Sequence, residues 1–205
     1  MPLYDYDAQV RNEGFPILCG VDEAGRGPLV GPVVAAAVIL PPDFRLEGLN
    51  DSKKLSEKKR EALFDVICQN ALAYGIGSAS HEEIDEKNIL QATFLAMRRA
   101  VEKLELKADI VLVDGNRDPI LNLPTRTVVK GDATSASIAA ASILAKVSRD
   151  RMLIEMDKEF PQYHFAKHKG YGTKDHYEQI LNYGICPYHR KTFLKKLKGV
   201  IEDVL

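Results

Sequence analysis

Three short, largely apolar runs in this sequence are followed by acidic residues, and this arrangement constrains the fold more than any other feature. The runs and the acids that follow them are Ile17 to Val21 with Asp22 and Glu23, Ile110 to Val113 with Asp114, and Thr125 to Val129 with Asp132. Apolar runs of this length are typical of buried strands. Because strand ends in an open α/β sheet face the crevice in which ligands bind, these acids are candidates for a functional site.

The rest of the chain predicts further strands and several helices. Strands are predicted at Pro32 to Leu40 and Ala71 to Ser78. Helices are predicted at Ser56 to about Ala73, Glu82 to Leu106, Ser135 to Lys146 with a continuation towards Phe160, Lys174 to Asn182, and Lys191 to about Val204. Apolar residues recur every three or four positions between Glu82 and Leu106, which is typical of one long amphipathic helix. The helix from Ser135 is rich in Ala and Ser, so we expect it to lie very close to the sheet.

The order of these elements favours an α/β core with a mixed sheet and a helical C-terminal lobe. We expect residues 1–160 to form the core and residues 161–205 to form a helical segment packed on it. A single domain that spans residues 1–205 remains an alternative, since the sequence contains no low-complexity linker.

Net charge is −1, but its distribution is uneven. Residues 1–140 carry 16 Lys and Arg against 21 Asp and Glu, whereas residues 141–205 carry 12 against 8. An acidic first part with a basic tail fits metal-binding carboxylates beside a surface that follows phosphates. Lysine-rich, solvated helix faces would give the same imbalance.

Composition also suggests a compartment. No stretch approaches the ~18 to 20 apolar residues of a membrane span, and the opening residues are acidic where a signal peptide would be basic and then apolar. We therefore expect a cytoplasmic protein that does not associate with membranes. The three cysteines, Cys19, Cys68 and Cys186, are far apart and show no C-x-x-C spacing, so we expect them to be reduced.

Each acid taken singly has an ordinary structural explanation. Asp114 with Gly115 and Asn116 reads as a turn, and Asp132 before Ala-Thr-Ser reads as a helix N-cap. The adjacent acids Asp22 and Glu23 are harder to explain in this way, because a strand would carry at least one of them to the edge of the core, where burying a carboxylate is costly.

Acids that converge need a cation, because like charges a few ångströms apart cannot all ionise unaided. An all-oxygen ligand set suits Mg²⁺ or Mn²⁺ and disfavours zinc. Two such ions about 4 Å apart can hydrolyse a phosphodiester without a nucleophilic side chain. The sequence contains no G-x-S-x-G, no credible Cys/His pair and no Walker motif.

Glu23 presents a geometric difficulty. Successive strand residues point to opposite faces, so a regular strand would not aim both Asp22 and Glu23 at one metal. Either the strand ends at Asp22 or the backbone twists there.

Several longer motifs resemble those of the ribonuclease HII family. They are Gly20-Val21-Asp22-Glu23-Ala24-Gly25-Arg26-Gly27-Pro28, Gly31 to Ala37, Asp51 to Leu55, Val113 to Asn116, Lys130 to Asp132, Ser142 to Lys146, Gly170 to Thr173, and His189-Arg190. The resemblance covers about residues 15 to 195. It implies a ribonuclease H-like mixed five-stranded sheet flanked by helices. It also implies that Asp22, Glu23, Asp114 and Asp132 are catalytic acids that bind two divalent ions.

The resemblance also assigns substrate contacts. Gly25, Arg26 and Gly27 would lie against the ribose at the cleavage site, where the backbone can contact the 2′-hydroxyl. Tyr171 would pack on the next sugar. Without the resemblance, the glycines read as a tight turn and Tyr171 as a half-buried loop aromatic. Lys53, Lys54 and Lys146 are candidates for phosphate contacts, although a solvated surface explains most lysines equally well.

Two features place the chain nearer to ribonuclease HII than to ribonuclease HIII. About sixteen residues precede the first predicted strand, where ribonuclease HIII carries an extra domain, and Arg26 is present where ribonuclease HIII generally lacks an arginine. Thr192 departs from the usual serine, which is a mild change. His164 and His168 are four residues apart and could pair on zinc, but no third ligand is evident. We take His176 and His189 as packing or surface residues.

The function implied is an endonuclease that acts as a monomer on RNA/DNA hybrids and on duplex DNA containing ribonucleotides. Another two-metal nuclease on the same fold, such as a type 1 ribonuclease H or a junction resolvase, is one competing hypothesis. A non-catalytic hybrid-binding protein, in which the acids serve as caps and turns, is another.

Overall fold

The computed structural model describes residues 3–197, and side-chain environments for residues 3–194. Its centre is a five-stranded mixed sheet in the order β3-β2-β1-β4-β5. The strands are β1 (Leu18–Ala24), β2 (Val33–Ile39), β3 (Ala73–Ala79), β4 (Ile110–Asp114) and β5 (Thr125–Val128). β1, β2 and β3 are antiparallel neighbours, whereas β1, β4 and β5 run parallel. The predicted α/β class and mixed five-stranded sheet are confirmed.

Helices cover both faces of the sheet. They are α1 (Leu3–Asn12), α2 (Glu57–Asn70), α3 (His81–Lys87), α4 (Ile89–Glu102), α5 (Ala136–Glu159), α6 (Phe165–His168) and α7 (Lys174–Tyr183). Short 3-10 segments occur at Ser52–Lys54, Gly131–Ala133, Pro161–Tyr163 and Lys191–Leu197. None of the helices among residues 3–197 is both long enough and apolar enough to cross a membrane.

The central strand β1 brings Asp22 and Glu23 to the same end of the sheet as Asp114. Val21 pairs with Val113 of the parallel strand β4. Asp22 and Asp114 therefore follow equivalent positions at the carboxyl ends of neighbouring strands. The first five residues of β1 and all of β2 are buried, which is why their sequences are nearly continuous apolar runs up to the acids.

Helix α5 approaches β1 very closely, as we predicted from its small residues. A Cβ atom on Gly20 would lie only 2.1 Å from the carbonyl carbon of Ser137. Alanines 139, 140, 141 and 145 of the same helix are fully buried. The Ala/Ser composition of α5 and the absence of a side chain at Gly20 together permit this contact.

The opposite face of the sheet is covered by α4, and here the predicted single helix from Glu82 to Leu106 is wrong. The chain forms α3 and α4 instead, separated at Asn88, which has a φ of +71°. The Asn88 side chain accepts hydrogen bonds from the N–H groups of Leu90 and Gln91, so it caps the start of α4. Apolar periodicity alone could not reveal this break, because both helices present their apolar residues to the same core.

The strand from Thr125 differs from its predicted burial. β5 is an edge strand in which only Val128 is buried, while Val129 lies outside the strand and is 67% exposed. Its outer edge has no neighbouring strand among the described residues. An edge strand needs only a few apolar positions, and the run from Thr125 to Val129 contains only two, Val128 and Val129.

The remaining differences concern helix ends. Helix α2 begins after the predicted cap Ser56 but ends at Asn70, which frees the following residues for β3. The predicted basic helix from Lys191 begins as a 3-10 segment to Leu197, and its extension to Val204 lies outside the described residues.

Helix α1 was not predicted. Its buried Asp7 accepts hydrogen bonds from the N–H and Oγ of Ser137 at 2.9 and 2.8 Å, at the start of α5.

The contact between Gly20 and α5 makes Gly20→Ala a test of the packing. The added methyl group would meet backbone atoms, so we expect the free energy of unfolding to fall by about 3 kcal/mol. The matched control is Gly27→Ala, because a Cβ there meets nothing closer than Tyr171 at 3.6 Å. Urea unfolding of both variants checks the prediction, and equal stabilities would contradict the close packing.

Candidate active site

A cavity of about 210 Å³ lies at the carboxyl ends of β1 and β4. Most of its wall consists of polar, charged and glycine residues from five separate parts of the chain. The lining residues are Asp22, Glu23, Ala24, Gly25, Arg26, Gly27, Ser52, Lys53, Asp114, Ser142, Lys146 and Tyr171. Three of the four predicted acids are therefore brought together with the predicted glycine loop and tyrosine.

Asp22 is the most deeply buried acid of the cavity. It faces α5, where the Ser142 hydroxyl donates a hydrogen bond to it, and it also accepts one from the N–H of Glu23 at 2.7 Å. Burial raises the pKa of Asp22 well above its usual range, and the charges of Glu23 and Asp114 raise it further. A buried acid with acidic neighbours favours the binding of a cation.

Glu23 reaches the cavity from the other face of the sheet. β1 continues to Ala24 and Glu23 pairs with Ala35 of β2, so the strand does not end at Asp22. Glu23 points towards α4 and accepts a hydrogen bond from Arg26 at 3.2 Å. Burial raises its pKa, although Arg26 acts in the opposite direction. Both acids border the cavity because they stand at the end of the sheet, where its two faces meet.

Asp114 closes β4 and ties it to the next loop. Its carboxylate accepts the N–H of Gly131 at 2.6 Å. The chain bends directly after Asp114, where Gly115 has a φ of +102°. The bend and the cavity are thus parts of one arrangement, in which Gly115 lets the chain leave the strand directly after the acid.

Asp132 is placed differently from the other three acids. The helix N-cap is Ser135, whose side chain accepts the N–H of Ile138, so the alternative of Asp132 as the cap of α5 is wrong. Asp132 lies in the 3-10 segment, outside the lining of the cavity, and faces Lys53 with 3.4 Å between Oδ2 and Nζ. Burial raises its pKa, as does the charge of Asp114, while Lys53 lowers it.

The acids are not gathered around one point. Among the residues that the structure describes, no three acidic, histidine or cysteine side chains are close enough to hold a single ion. Two of the four acids face basic side chains instead, Glu23 with Arg26 and Asp132 with Lys53. The ligand set still suits a hard divalent cation, because it consists of carboxylates and two of them are buried beside other acids.

The three lysines predicted as candidates for phosphate contacts have different surroundings. Lys53 borders the cavity with a side chain that is 78% exposed. Lys146 also borders it but binds Asp150 at 2.7 Å. Lys54 is exposed and lies outside the cavity lining. Ser52 also lines the cavity and forms a 2.6 Å hydrogen bond with Ser142, which fixes the segment Ser52–Lys54 to α5.

Gly25 of the glycine loop packs against Arg149, which is far away in the sequence. Gly25 has a φ of +96°, and a Cβ atom there would lie 2.0 Å from Nε of Arg149. Gly27 faces the ring of Tyr171 across the cavity. Gly25 is thus required by backbone conformation and packing, whereas the lack of a side chain at Gly27 keeps the cavity open.

A relay of two buried histidines fixes the backbone of Tyr171. The hydrogen-bond network assigns Nδ1–H of His176 as donor to the Tyr171 carbonyl at 3.0 Å, and the Cys186 N–H donates to Nδ1 of His189 at 2.9 Å. The Nε2 atoms of the two rings are 3.1 Å apart, so His189 donates to His176. Both rings are therefore neutral structural groups, and of the two predicted alternatives, packing or surface residues, their burial supports the first.

The zinc alternative for His164 and His168 has no support in their contacts. Nδ1 of His164 is 3.2 Å from the Asp175 carboxylate. Both ring nitrogens of His168 are engaged by backbone groups, the Tyr163 carbonyl and the Gly170 N–H.

Sequence reasoning missed Arg149 and Arg190, which are the two largest fully buried side chains. Both bind backbone carbonyls of the loop between β1 and β2. No local pattern marks an arginine as buried, since arginine is usually exposed. The His189-Arg190 pair appeared in the sequence only as part of the family resemblance.

A larger concavity of about 630 Å³ lies at the outer edge of β3 and shares no lining residue with the acidic cavity. Its wall is formed by residues 71–76 together with Lys103 and Glu105. It contains no group of acids, so volume alone does not identify the chemical site.

Comparison with known proteins decides the family. The model of the ribonuclease HII family matches residues 19–197. The chain belongs to the ribonuclease HII family. It is 58% identical over 192 residues to ribonuclease HII of Endomicrobium trichonymphae, covering 93% of this chain and 91% of the relative. The chain is therefore a ribonuclease H, as the sequence motifs predicted.

Solved structures agree with this assignment. The crystal structure of ribonuclease H2 from Pyrococcus horikoshii OT3 superposes with a TM-score of 0.77 at 26% identity, covering 91% of this chain and 99% of that one. Bst-RNase HIII in complex with Mn²⁺ superposes with a TM-score of 0.65 at 15% identity, covering 86% and 64%. The second likeness concerns the fold alone.

The histidine relay predicts how stability depends on pH. Burial lowers the pKa of His176 to about 4 and that of His189 to about 3, from an ordinary value of 6.5. Below pH 6.5 the unfolded chain binds protons that the folded chain does not, so this pair contributes stability that is lost as pH falls towards 4 and then 3. Above pH 6.5 the contribution is constant.

Urea unfolding of His176→Gln across this range measures the effect. The buried acids act in the opposite direction, so the test is the difference in slope between the variant and the unmodified chain. We expect a flatter acid limb for His176→Gln than for the unmodified chain. An identical slope in the two proteins would show that the relay is not neutral in the folded state.

Proposed function

We propose that this chain is a metal-dependent endonuclease that cleaves the RNA strand of RNA/DNA hybrids and nicks duplex DNA on the 5′ side of an embedded ribonucleotide. The products would be a 3′-hydroxyl and a 5′-phosphate. The observation that carries the proposal is the single cavity in which Asp22, Glu23 and Asp114 meet the Gly25–Gly27 loop and Tyr171. The acids would take part in the cleavage reaction, and the loop and the tyrosine would determine which phosphodiester is cleaved.

Asp22, Glu23, Asp114 and Asp132 are the residues proposed to hold two divalent cations, Mn²⁺ or Mg²⁺. The raised pKa values of Asp22, Glu23 and Asp132 favour cation binding, and the fold is shared with a ribonuclease HIII whose structure contains Mn²⁺. When bound, such ions activate a water molecule and stabilise the leaving oxygen of an in-line displacement. On binding the ions, Glu23 would give up its contact with Arg26, and Asp132 would give up its contact with Lys53.

The Gly25–Gly27 loop and Tyr171 are proposed to read the sugars. The absence of a side chain at Gly27 lets a ribose approach the backbone, and the exposed Tyr171 ring offers a flat apolar surface for the next sugar. A 2′-hydroxyl at that second position would crowd the ring. This arrangement favours a junction from ribonucleotide to deoxyribonucleotide.

Phosphate contacts are proposed for Lys53, Lys54 and Lys146. Lys53 is the best placed, since it borders the cavity and is largely exposed. The C-terminal segment from residue 161 carries Tyr171 and would complete the binding surface beside the core. Such contacts position a duplex without reading its sequence. We further propose that the chain acts as a monomer in the cytoplasm, where it starts the removal of ribonucleotides from DNA.

Asp22→Asn and Asp114→Asn test the catalytic assignment. Each removes one negative charge with little change of shape, so we expect cleavage to fall to background while duplex binding persists or tightens, because repulsion of phosphate decreases. A gel-based cleavage assay and fluorescence anisotropy measure the two quantities. Asp65→Asn on the exposed side of α2 is the matched control and should retain full activity. Full activity in either site variant would refute the assignment.

Substrate choice and metal dependence separate the competing functions. A DNA duplex with one embedded ribonucleotide should be nicked, whereas a type 1 ribonuclease H, which needs a run of ribonucleotides, would leave it intact. A chelator should abolish the nicking, and adding back Mn²⁺ or Mg²⁺ should restore it. Binding without metal-dependent cleavage would favour a non-catalytic hybrid-binding protein.

A further inference from the structure

Two arginines lie beneath the loop that joins β1 to β2, and both are completely enclosed. Arg190 is 0% and Arg149 is 1% exposed. Burying an arginine is costly unless its donors are satisfied, and here the partners are backbone carbonyls. Burial lowers the pKa of Arg190 to about 9 and that of Arg149 to about 10, so both remain charged near neutral pH.

Arg190 binds four carbonyls of this loop. Its Nη2 donates to Gly25 at 2.7 Å, its Nη1 to Arg26 at 3.1 Å and to Pro28 at 2.8 Å, and its Nε to Gly31 at 2.9 Å. The backbone N–H of Arg190 also donates to the Leu29 carbonyl at 2.8 Å. The rigid planar fork of a guanidinium can satisfy several carbonyls at once, which a lysine cannot do.

These bonds determine where the opposite ends of the same peptide groups point. In a trans peptide the N–H points away from the carbonyl, and no cis peptide occurs in the described chain. The carbonyls of Gly25 and Arg26 face the buried Arg190, so the N–H groups of Arg26 and Gly27 face the other side of the loop. That side is the cavity, which both residues line.

We infer that Arg190 is a positioning residue for ribose recognition: by drawing the Gly25 and Arg26 carbonyls inward, it presents the Arg26 and Gly27 N–H groups to the 2′-oxygen of the ribonucleotide. This inference rests on the proposed function of the cavity. A ribose offers an oxygen that accepts these hydrogen bonds, whereas a deoxyribose offers none. Arg190 thus contributes to the choice of sugar without touching the substrate.

Arg149 of α5, which lies beneath the same loop, provides a matched control. Its guanidinium is equally buried, and it donates to three carbonyls, those of Pro32 at 3.1 Å, Val30 at 3.0 Å and Lys169 at 3.0 Å. It makes no hydrogen bond to the Gly25 or Arg26 carbonyl among its described contacts. Loss of Arg149 should therefore disturb stability to a similar degree but leave the two N–H groups oriented.

The experiment compares binding of two duplexes by Arg190→Met and Arg149→Met. Both changes are made in the full chain carrying Asp114→Asn, so that substrate persists, with Mg²⁺ present. Fluorescence anisotropy gives the affinity for a duplex with one ribonucleotide and for the same duplex with only deoxyribonucleotides. We expect Arg190→Met to reduce the ratio of the two affinities by about tenfold, leaving the all-DNA affinity nearly unchanged. Arg149→Met should preserve the ratio.

A purely structural role would move both affinities together and would affect the two arginine variants alike. Arg190→Lys supplies a second variant in case the methionine variant unfolds, because it keeps the charge beneath the loop but cannot bridge the Gly25 and Arg26 carbonyls. We expect it to fold and to lose discrimination as well. A folded Arg190→Lys or Arg190→Met protein that retains the original ratio would overturn the inference alone. A ratio of one in the Asp114→Asn parent would overturn the proposed function as well.

Discussion

The close packing of α5 against β1 is the contact on which the rest of the molecule depends. It begins where Gly20 admits the backbone of Ser137, and it fixes the register between the helix and the central strand. Further along the same helix, Ser142 reaches Asp22 and Arg149 reaches the loop at Gly25. One 24-residue helix therefore supports the fold, the first acid and the substrate loop in succession. Displacing its start would move all three.

The surrounding structure holds the acids of the cavity close to one another, although their negative charges repel. Burial of Asp22 beside Glu23 and Asp114 opposes ionisation, while Arg26 supplies positive charge to Glu23 and Lys53 to Asp132. A folded protein tolerates such a cost where a function requires it. The arginines beneath the loop present the reverse case, because backbone carbonyls satisfy their donors and the same hydrogen bonds hold the loop in one conformation.

Most of the sheet and three of the four acids could be placed from sequence because the relevant signals are local. A buried strand needs a continuous apolar run, and an acid directly after it must stand at the strand end. The errors arose where local signals were shared by two structures. Apolar periodicity passed through the break at Asn88, and the run from Thr125 to Val129, with only two apolar residues, fits an edge strand at least as well as a buried one. The break depends on one side chain that caps α4, which periodicity does not register.

The sequence by itself determined the class of fold, the family and the acids at the strand ends, because these follow from residue order over short stretches. Only the tertiary structure decided that Glu23 approaches from the opposite face to Asp22, that Asp132 faces Lys53 and does not cap α5, and that Arg190 holds Gly25. The reason is physical: a long side chain finds its partner through space. Arg190 and Gly25 are 165 residues apart in the chain, yet they share one hydrogen bond.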